Sequence, residues 1–235
     1  MTDIQDNIFV KGKTLVLDKP FEWTSFDVVN KIKWKLKKKL KLKKIKVGHA
    51  GTLDPLATGM LLVCTGKNTK KISDLQGLEK EYTGSFTLGA TTPSFDLETE
   101  VDQNFPTEHI TEDLILQAAQ EMTGTQEQAP PIFSAKKTNG VRAYELARKG
   151  KDVELKKNTV EVAAFEILKV EMPKVYFRIT CSKGTYIRSI ARDFGLALDS
   201  GGYLSELRRT RIGPYRIEDA LSVEEAAELI EASAS

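Results

Sequence analysis

Val28, Ile32, Leu36 and Leu40 recur every four residues through a stretch otherwise dominated by lysine, a spacing that predicts an amphipathic helix. Thr24-Ser25-Phe26-Asp27 supplies a capping-box-like start for it. After about Lys39 the spacing shortens through Leu40, Leu42, Ile45 and Val47, which predicts an extended segment. Apolar or alternating runs predict strands at 14–18, 60–64, 80–88, 159–170 and 175–181, the last two joined by a Met172-Pro173-Lys174 turn. Helices are predicted from Thr111 to about Met122, closed by Gly124, and from Tyr144 to Arg148, stopped by Gly150. Two more run from Tyr186 to Leu198, opened by Gly184-Thr185, and from a Ser222-Val-Glu-Glu225 capping box to about Glu231. Residues 125–138 are polar and contain Pro130-Pro131, the mark of a loop. Helices and strands intermix with no repeat and no low-complexity linker, so the expected class is α+β in one continuous domain.

Composition narrows this little. A chain of 235 residues with 40% hydrophobic and 29% charged content is an ordinary globular protein. At that length folding buries roughly 70% of the unfolded chain's surface. No apolar stretch approaches the about 20 residues of a helical membrane span, and the first residues lack a signal-peptide core, so a cytoplasmic protein is expected. Cys64 and Cys181 stand alone among apolar neighbours, which fits buried thiols in a reducing compartment rather than a disulfide framework. The two histidines show no carboxylate–histidine spacing of a transition-metal site, so no metal and no cofactor are expected.

Charge changes the picture more. The segment 31–46 holds ten lysines and no acid, while the remaining residues carry 25 basic against 33 acidic groups. Basicity concentrated this way implies a polyanionic partner. A solvated lysine face and a membrane-surface helix are the rival readings. The helix feeds directly into a glycine-rich loop that carries a carboxylate, which favours nucleic acid.

That loop is Gly48-His-Ala-Gly-Thr-Leu-Asp-Pro-Leu-Ala-Thr-Gly59. Its glycines permit backbone conformations closed to other residues. Asp54-Pro55 favours a turn and keeps Asp54 out of helix. A carboxylate held there, next to His49 and ahead of the apolar run 60–64, suits a nucleophile or general base; an Asx-turn aspartate that ties its own loop is the alternative. Farther along, Gly184-Thr-Tyr-Ile-Arg188 puts Tyr186 and Arg188 at a strand-to-helix junction, where an arginine can hold a carboxylate or phosphate. Arg188 is thus a candidate partner for Asp54, or else a structural ion pair or phosphate clamp. Leu207-Arg-Arg-Thr-Arg-Ile-Gly213 adds three arginines suited to a phosphate backbone.

Seven stretches, in order, resemble the TruB family of tRNA pseudouridine-55 synthases. They are Asp18-Lys-Pro with Trp23-Thr-Ser-Phe-Asp27, the 48–59 loop, Lys80-Glu-Tyr82, and 88–96 (LGATTPSFD). The rest are 130–150 (PPIFSAKKTNGVRAYELARKG), 184–193 (GTYIRSIARD) and 207–213 (LRRTRIG), so the likeness covers roughly residues 12–221. It implies a pseudouridine-synthase fold, with a mixed, largely antiparallel central sheet flanked by helices and loops. It also implies a short N-terminal arm (1–11), one catalytic domain (12–235), an RNA-binding insertion at about 124–152 and no separate C-terminal PUA domain. The implied reaction isomerises a T-loop uridine of tRNA without metal or cofactor, in a monomer that needs no obligate protein partner. Asp54 matches the catalytic aspartate, Tyr82 the tyrosine that stacks on the base and is a candidate for proton abstraction, and Arg188 the arginine paired with the carboxylate. His49 matches the residue that helps hold the flipped nucleotide, and Tyr186 and Leu207 match pocket-lining positions. Lys19, Asp96, Arg142, Arg208 and Arg209 are the further expected RNA contacts, with Asp96 alternatively a loop tie. Thr99 stands where the family pattern has glycine. A non-catalytic RNA-binding or tRNA-folding module would use the same cleft, but it would not require the acid that Asp54 supplies.

Overall fold

The computed structural model describes residues 6–131, 137–138, 141–142 and 156–233. In chain order the strands are β1 Thr14–Lys19, β2 Val47–His49, β3 Thr58–Thr65, β4 Lys80–Leu88, β5 Ala90–Thr91, β6 Gln103–Asn104 and β7 Gly124–Gln128. They continue with β8 Lys137–Thr138, β9 Val141–Arg142, β10 Asn158–Glu171, β11 Lys174–Cys181, β12 Gly202–Ile212, β13 Tyr215–Arg216 and β14 Leu221–Ser222. The chain divides into two compact units, Met1–Tyr82 with Arg208–Ser235 and Thr83–Leu207, the divisions falling inside β4 and β12.

In the first unit the strands are ordered β14-β1-β3-β12, with β2 on β3 and β13 on β12. β1 and β3 are antiparallel, Leu15 opposite Val63 and Leu17 opposite Leu61, whereas β3 meets β12 in parallel. Strand β3 is buried along both faces, which explains its unbroken apolar run. Leu61 and Val63 join Leu15, Leu17, Val28, Ile32, Leu36 and Ile230 in one core, while Met60 and Leu62 face a second with Ala50 and Ile212. The predicted amphipathic helix is Ser25–Lys39, capped by Thr24 with a reciprocal Asp27 bond, and its apolar stripe is buried. It packs against the helix Val223–Ala232, which starts at the predicted Ser222–Glu225 capping box. Residues 8–11 form a short helix whose Phe9 is fully buried in the same core.

In the second unit the order is β12-β4-β11-β10-β7. Phe86 stacks on Phe177 with ring centroids 4.2 Å apart, and Phe165 and Phe194 complete an aromatic core. The antiparallel β10–β11 pair turns at Met172-Pro173, as the sequence predicts. The helix Glu112–Glu121 is capped by Thr111, and Ile187–Ala197 begins after Tyr186.

Three expectations need correction. Residues 124–128, expected as the end of a helix and a loop, form β7, paired with Asn158–Val162 of β10. This edge strand buries only Gln128, so polar residues on both faces hide its period. The extended segment expected from Leu40 reaches strand geometry only at Val47–His49. Residues 202–212, read from the sequence for their arginines and for Leu207 but not as a strand, form the eleven-residue strand β12. The expected helix at 144–148 and Lys136 of the insertion lie outside the described residues.

Candidate active site

Asp54 sits on the loop between β2 and β3, and main-chain groups on both sides of it are clamped. Ser25 Oγ accepts from Leu53 N at 2.9 Å and donates to Leu53 O at 3.1 Å, so the first turn of the Ser25–Lys39 helix grips the residue before the carboxylate. After it, Pro55 O accepts from Glu22 N at 2.9 Å and from Lys19 Nζ at 3.2 Å. Ala57 N closes a turn onto Asp54 O at 3.1 Å. From β12, Arg209 donates to Met60 O at 2.8 Å, Gly51 O at 3.1 Å and Thr52 O at 3.4 Å. One guanidinium therefore staples three carbonyls at the two ends of the loop, a task its rigid fork of donors fits. Gly59 has φ +101° and lies so near the Arg209 backbone that a Cβ would fall 2.4 Å from Arg209 O; glycine is required where β3 begins.

Lys19 and Arg209 were expected to touch RNA. The structure gives both an interior role instead, at 0% and 1% exposure. Lys19 Nζ donates to the carbonyls of Pro20, Trp23 and Pro55. Burial pulls its pKa from 10.5 down to about 8, and the Asp54 carboxylate opposes that fall. The fixed cation thus lies within electrostatic range of Asp54.

The pH dependence follows. Below about pH 8 Lys19 is protonated in both states and its burial penalty is constant; between about 8 and 10.5 the unfolded chain holds the extra proton. Stability from this group therefore rises with pH in that window. Relative to Lys19→Met, the wild type should gain roughly 1 kcal/mol per pH unit there, read from urea unfolding at several pH values. Parallel curves would contradict the shifted lysine.

His49 lies on β2 opposite Val63, its Nδ1 buried without a hydrogen-bond partner. Burial is the main cause that lowers its pKa, the Gly51 backbone opposing, so the ring is neutral near pH 7. Tyr82 is buried on β4, at 8% exposure. Arg208 forms a two-pronged bond with Asp18, at 2.6 and 3.1 Å, while remaining partly exposed.

The second unit holds its own buried charge cluster. Arg188, in the first turn of the Ile187–Ala197 helix, is 4% exposed, and its Nε stands 3.5 Å from Oδ2 of Asp96, itself 5% exposed. Arg188 Nη1 also donates to Ser94 O at 3.4 Å, and Asp96 Oδ1 accepts from Glu98 N at 2.9 Å. Asp96 is therefore a loop tie that faces the arginine. Thr99, the departure from the family pattern, fixes the same turn: its hydroxyl accepts from Ser94 N at 3.0 Å and bonds Ser94 Oγ at 2.8 Å. Gln128 of β7 holds the start of the Arg188 helix by accepting from Tyr186 N at 2.8 Å and donating to Tyr186 O at 3.1 Å. Leu207 is half-buried on β12, and Arg142 pairs by its backbone with Lys137. Among the described residues no three His, Cys, Asp or Glu side chains form a metal cluster, and no helix is long and apolar enough to cross a membrane.

Ser25 and Gln128 are the functional supports that the sequence did not reveal. Each reads locally as an unremarkable polar residue, and its partner lies 28 or 58 positions away.

Residues 37–187 match the model of the TruB family pseudouridylate synthase N-terminal domain, and 188–234 that of the tRNA pseudouridylate synthase B C-terminal domain. The chain belongs to the TruB family. Two similar relatives of that family, each named tRNA pseudouridine synthase B, come from Phocaeicola vulgatus and Flavobacterium johnsoniae. The first is 56% identical over 223 residues, covering 95% of each chain; the second is 56% identical over 216 residues, covering 92% of this chain and 94% of the relative. Among solved structures, a chain of a Cbf5-Nop10-Gar1 complex aligns with TM-score 0.72 and 33% identity over 96% of this TruB-family chain. This chain spans 56% of that one's length. A chain of an H/ACA RNP bound to a substrate RNA containing 2′-deoxyuridine aligns with TM-score 0.68 and 30% identity, over 94% of this chain and 53% of the other. The pseudouridine-synthase fold and the α+β class expected from the sequence are thereby established.

Proposed function

We propose that this TruB-family protein converts uridine 55 in the T-loop of tRNA to pseudouridine, with Asp54 as its essential carboxylate. The observation that carries the reading is the Asp54 loop, clamped by Ser25, Lys19 and Arg209 so that one carboxylate is held on a fixed backbone. Preorganisation of this kind is what a reacting group needs and a simple loop tie does not. The reaction breaks the N1–C1′ bond, rotates the uracil and joins C5 to C1′; the C5 proton leaves and N1 gains a proton, so no net atom is exchanged except with solvent. Asp54 acts in it as nucleophile or base. Tyr82 stacks on the base and is the candidate for taking the C5 proton, and Arg188 matches the arginine that the family pairs with its catalytic carboxylate. Neutral His49 helps hold the flipped nucleotide, and Tyr186 and Leu207 match the family's pocket-lining positions.

A stacked T-loop base must be flipped out, at a cost of a few kcal/mol. The lysine-rich helix and the partly exposed Arg208 supply compensating phosphate contacts. On this reading residues 12–235 act as one catalytic domain and the protein works as a cytoplasmic monomer. The experiment is to incubate the protein with an unmodified tRNA transcript and map pseudouridine by carbodiimide-dependent primer-extension stops. A stop assigned to position 55 is expected; no stop, or stops only elsewhere, contradicts the reading.

The lysines have a separate signature. Lys33, Lys37 and Lys38 are exposed on the Ser25–Lys39 helix. Changing all three to Gln should flatten the slope of log K against log salt for tRNA by about 2, at roughly 0.7 to 0.9 per lost phosphate contact. An unchanged slope with unchanged affinity would make the helix face merely solvated.

A further inference from the structure

The lysine-bearing helix also displays aromatic rings where an amphipathic helix ordinarily shows only polar side chains. Phe26 and Trp34, two turns apart, are 66% and 54% exposed, and Phe21 just upstream is 55% exposed. Single exposed apolar residues are common and need no function. Here, however, Trp34 borders an open groove of about 620 Å³ whose other walls are Trp23, Asn30, Lys31, Glu22 and Asp27. That size lies in the range of about 300–1,000 Å³ typical of small-ligand sites.

We propose that this groove receives one unpaired nucleotide of the RNA substrate, its base against the Trp34 indole and its phosphate beside the lysines of the same helix. The proposal rests on the tRNA reading above and adds a contact outside the reacting-base pocket. Indole faces suit any base, because every base has a π-face, and the Asn30 amide can pair with a base edge. The groove's own charges argue for a base inside it rather than a phosphate. Asp27 Oδ2 is engaged by its helix cap, accepting from Thr24 N at 2.9 Å and Thr24 Oγ1 at 2.6 Å, so Glu22 and the other oxygen of Asp27 are the carboxylate groups that can accept base N–H groups. Phosphate is directed instead to the ammonium groups of Lys31 and Lys38, the latter 5.1 Å from the Trp34 ring centroid; Lys35, 5.7 Å from that centroid, is paired with Glu231 at 3.4 Å. The groove is also tied to the reactive loop inside the same unit, because Glu22 N bonds Pro55 O, one residue past Asp54. An RNA bound at Asp54 therefore passes close to it.

The test compares Trp34→Ala and Trp34→Phe with the wild type in tRNA binding across a salt series, with circular dichroism as a check on folding. Trp34→Ala should raise the Kd, and KM with it, by between about 5-fold and 100-fold, and Trp34→Phe should recover most of the loss. The salt slope should stay as in the wild type, because no phosphate contact is removed. In a Trp23→Phe protein, where Trp34 is the single tryptophan, a short single-stranded oligouridylate should quench the fluorescence. An affinity within twofold of wild type for Trp34→Ala would overturn the inference. So would a slope change of a whole phosphate contact, or quenching by phosphatidylglycerol vesicles but not by RNA. These outcomes leave the tRNA reading standing; failure of the wild type itself to bind tRNA would remove both.

Discussion

Asp54→Asn should abolish isomerisation, lowering turnover by on the order of 10³-fold or more, the scale of losing a nucleophile or general base. The substitution nearly conserves volume, and the clamps around the loop grip main-chain atoms of residues 51–53, 55, 57 and 60 rather than the Asp54 carboxylate. Fold and tRNA affinity should therefore stay near wild type. The variant should also carry an electrostatic trace. Asp54 supports the protonated form of Lys19, so its removal should drop the Lys19 pKa further below about 8. Appreciable isomerisation by the purified variant would show that another group is the essential carboxylate.

Arg209→Met should damage stability and activity together. The guanidinium is 1% exposed and satisfies three carbonyls, while methionine fills similar space with no donor. Buried carbonyls left without partners, and previously bonded to a charged group, cost roughly 3 kcal/mol in all. In a chain of this size that is a fall of about 6–12 °C in Tm. Arg209→Lys should not restore it, because one ammonium cannot reach three divergent carbonyls as the planar fork does. Turnover should fall as well, since the Asp54 loop loses its hold on β12. Scanning calorimetry with a parallel turnover assay checks both; wild-type Tm and turnover in Arg209→Met would refute the clamp.

These two residues also show what the sequence reveals and what it hides. Local chemistry was readable: the Thr24–Asp27 and Ser222–Glu225 capping boxes, the four-residue stripe from Val28 to Leu36, and the apolar run of β3 all appear as expected. Asp54 stood out because glycine, proline and a carboxylate in one loop are chemically conspicuous. Arg209 departs from its expected RNA contact for a physical reason. Arginine in a basic cluster reads as surface, yet β12 turns this one inward, and its carbonyl partners lie about 150 positions earlier. The same charged pattern concealed β12, and uniform polarity concealed β7, whose Gln128 orients the Arg188 helix. Arg188 itself was recognised at its helix start, but its partner Asp96 comes from a loop held by Thr92, Ser94 and Thr99, an arrangement no short pattern encodes.

The most direct measurement is tritium release from a tRNA transcript labelled at C5 of uridine, because forming the C5–C1′ bond must expel that hydrogen. The wild type should release one tritium per tRNA at completion, and replacing uridine 55 by cytidine should abolish the release. No release from the wild type, or release that persists without uridine 55, would contradict the assignment.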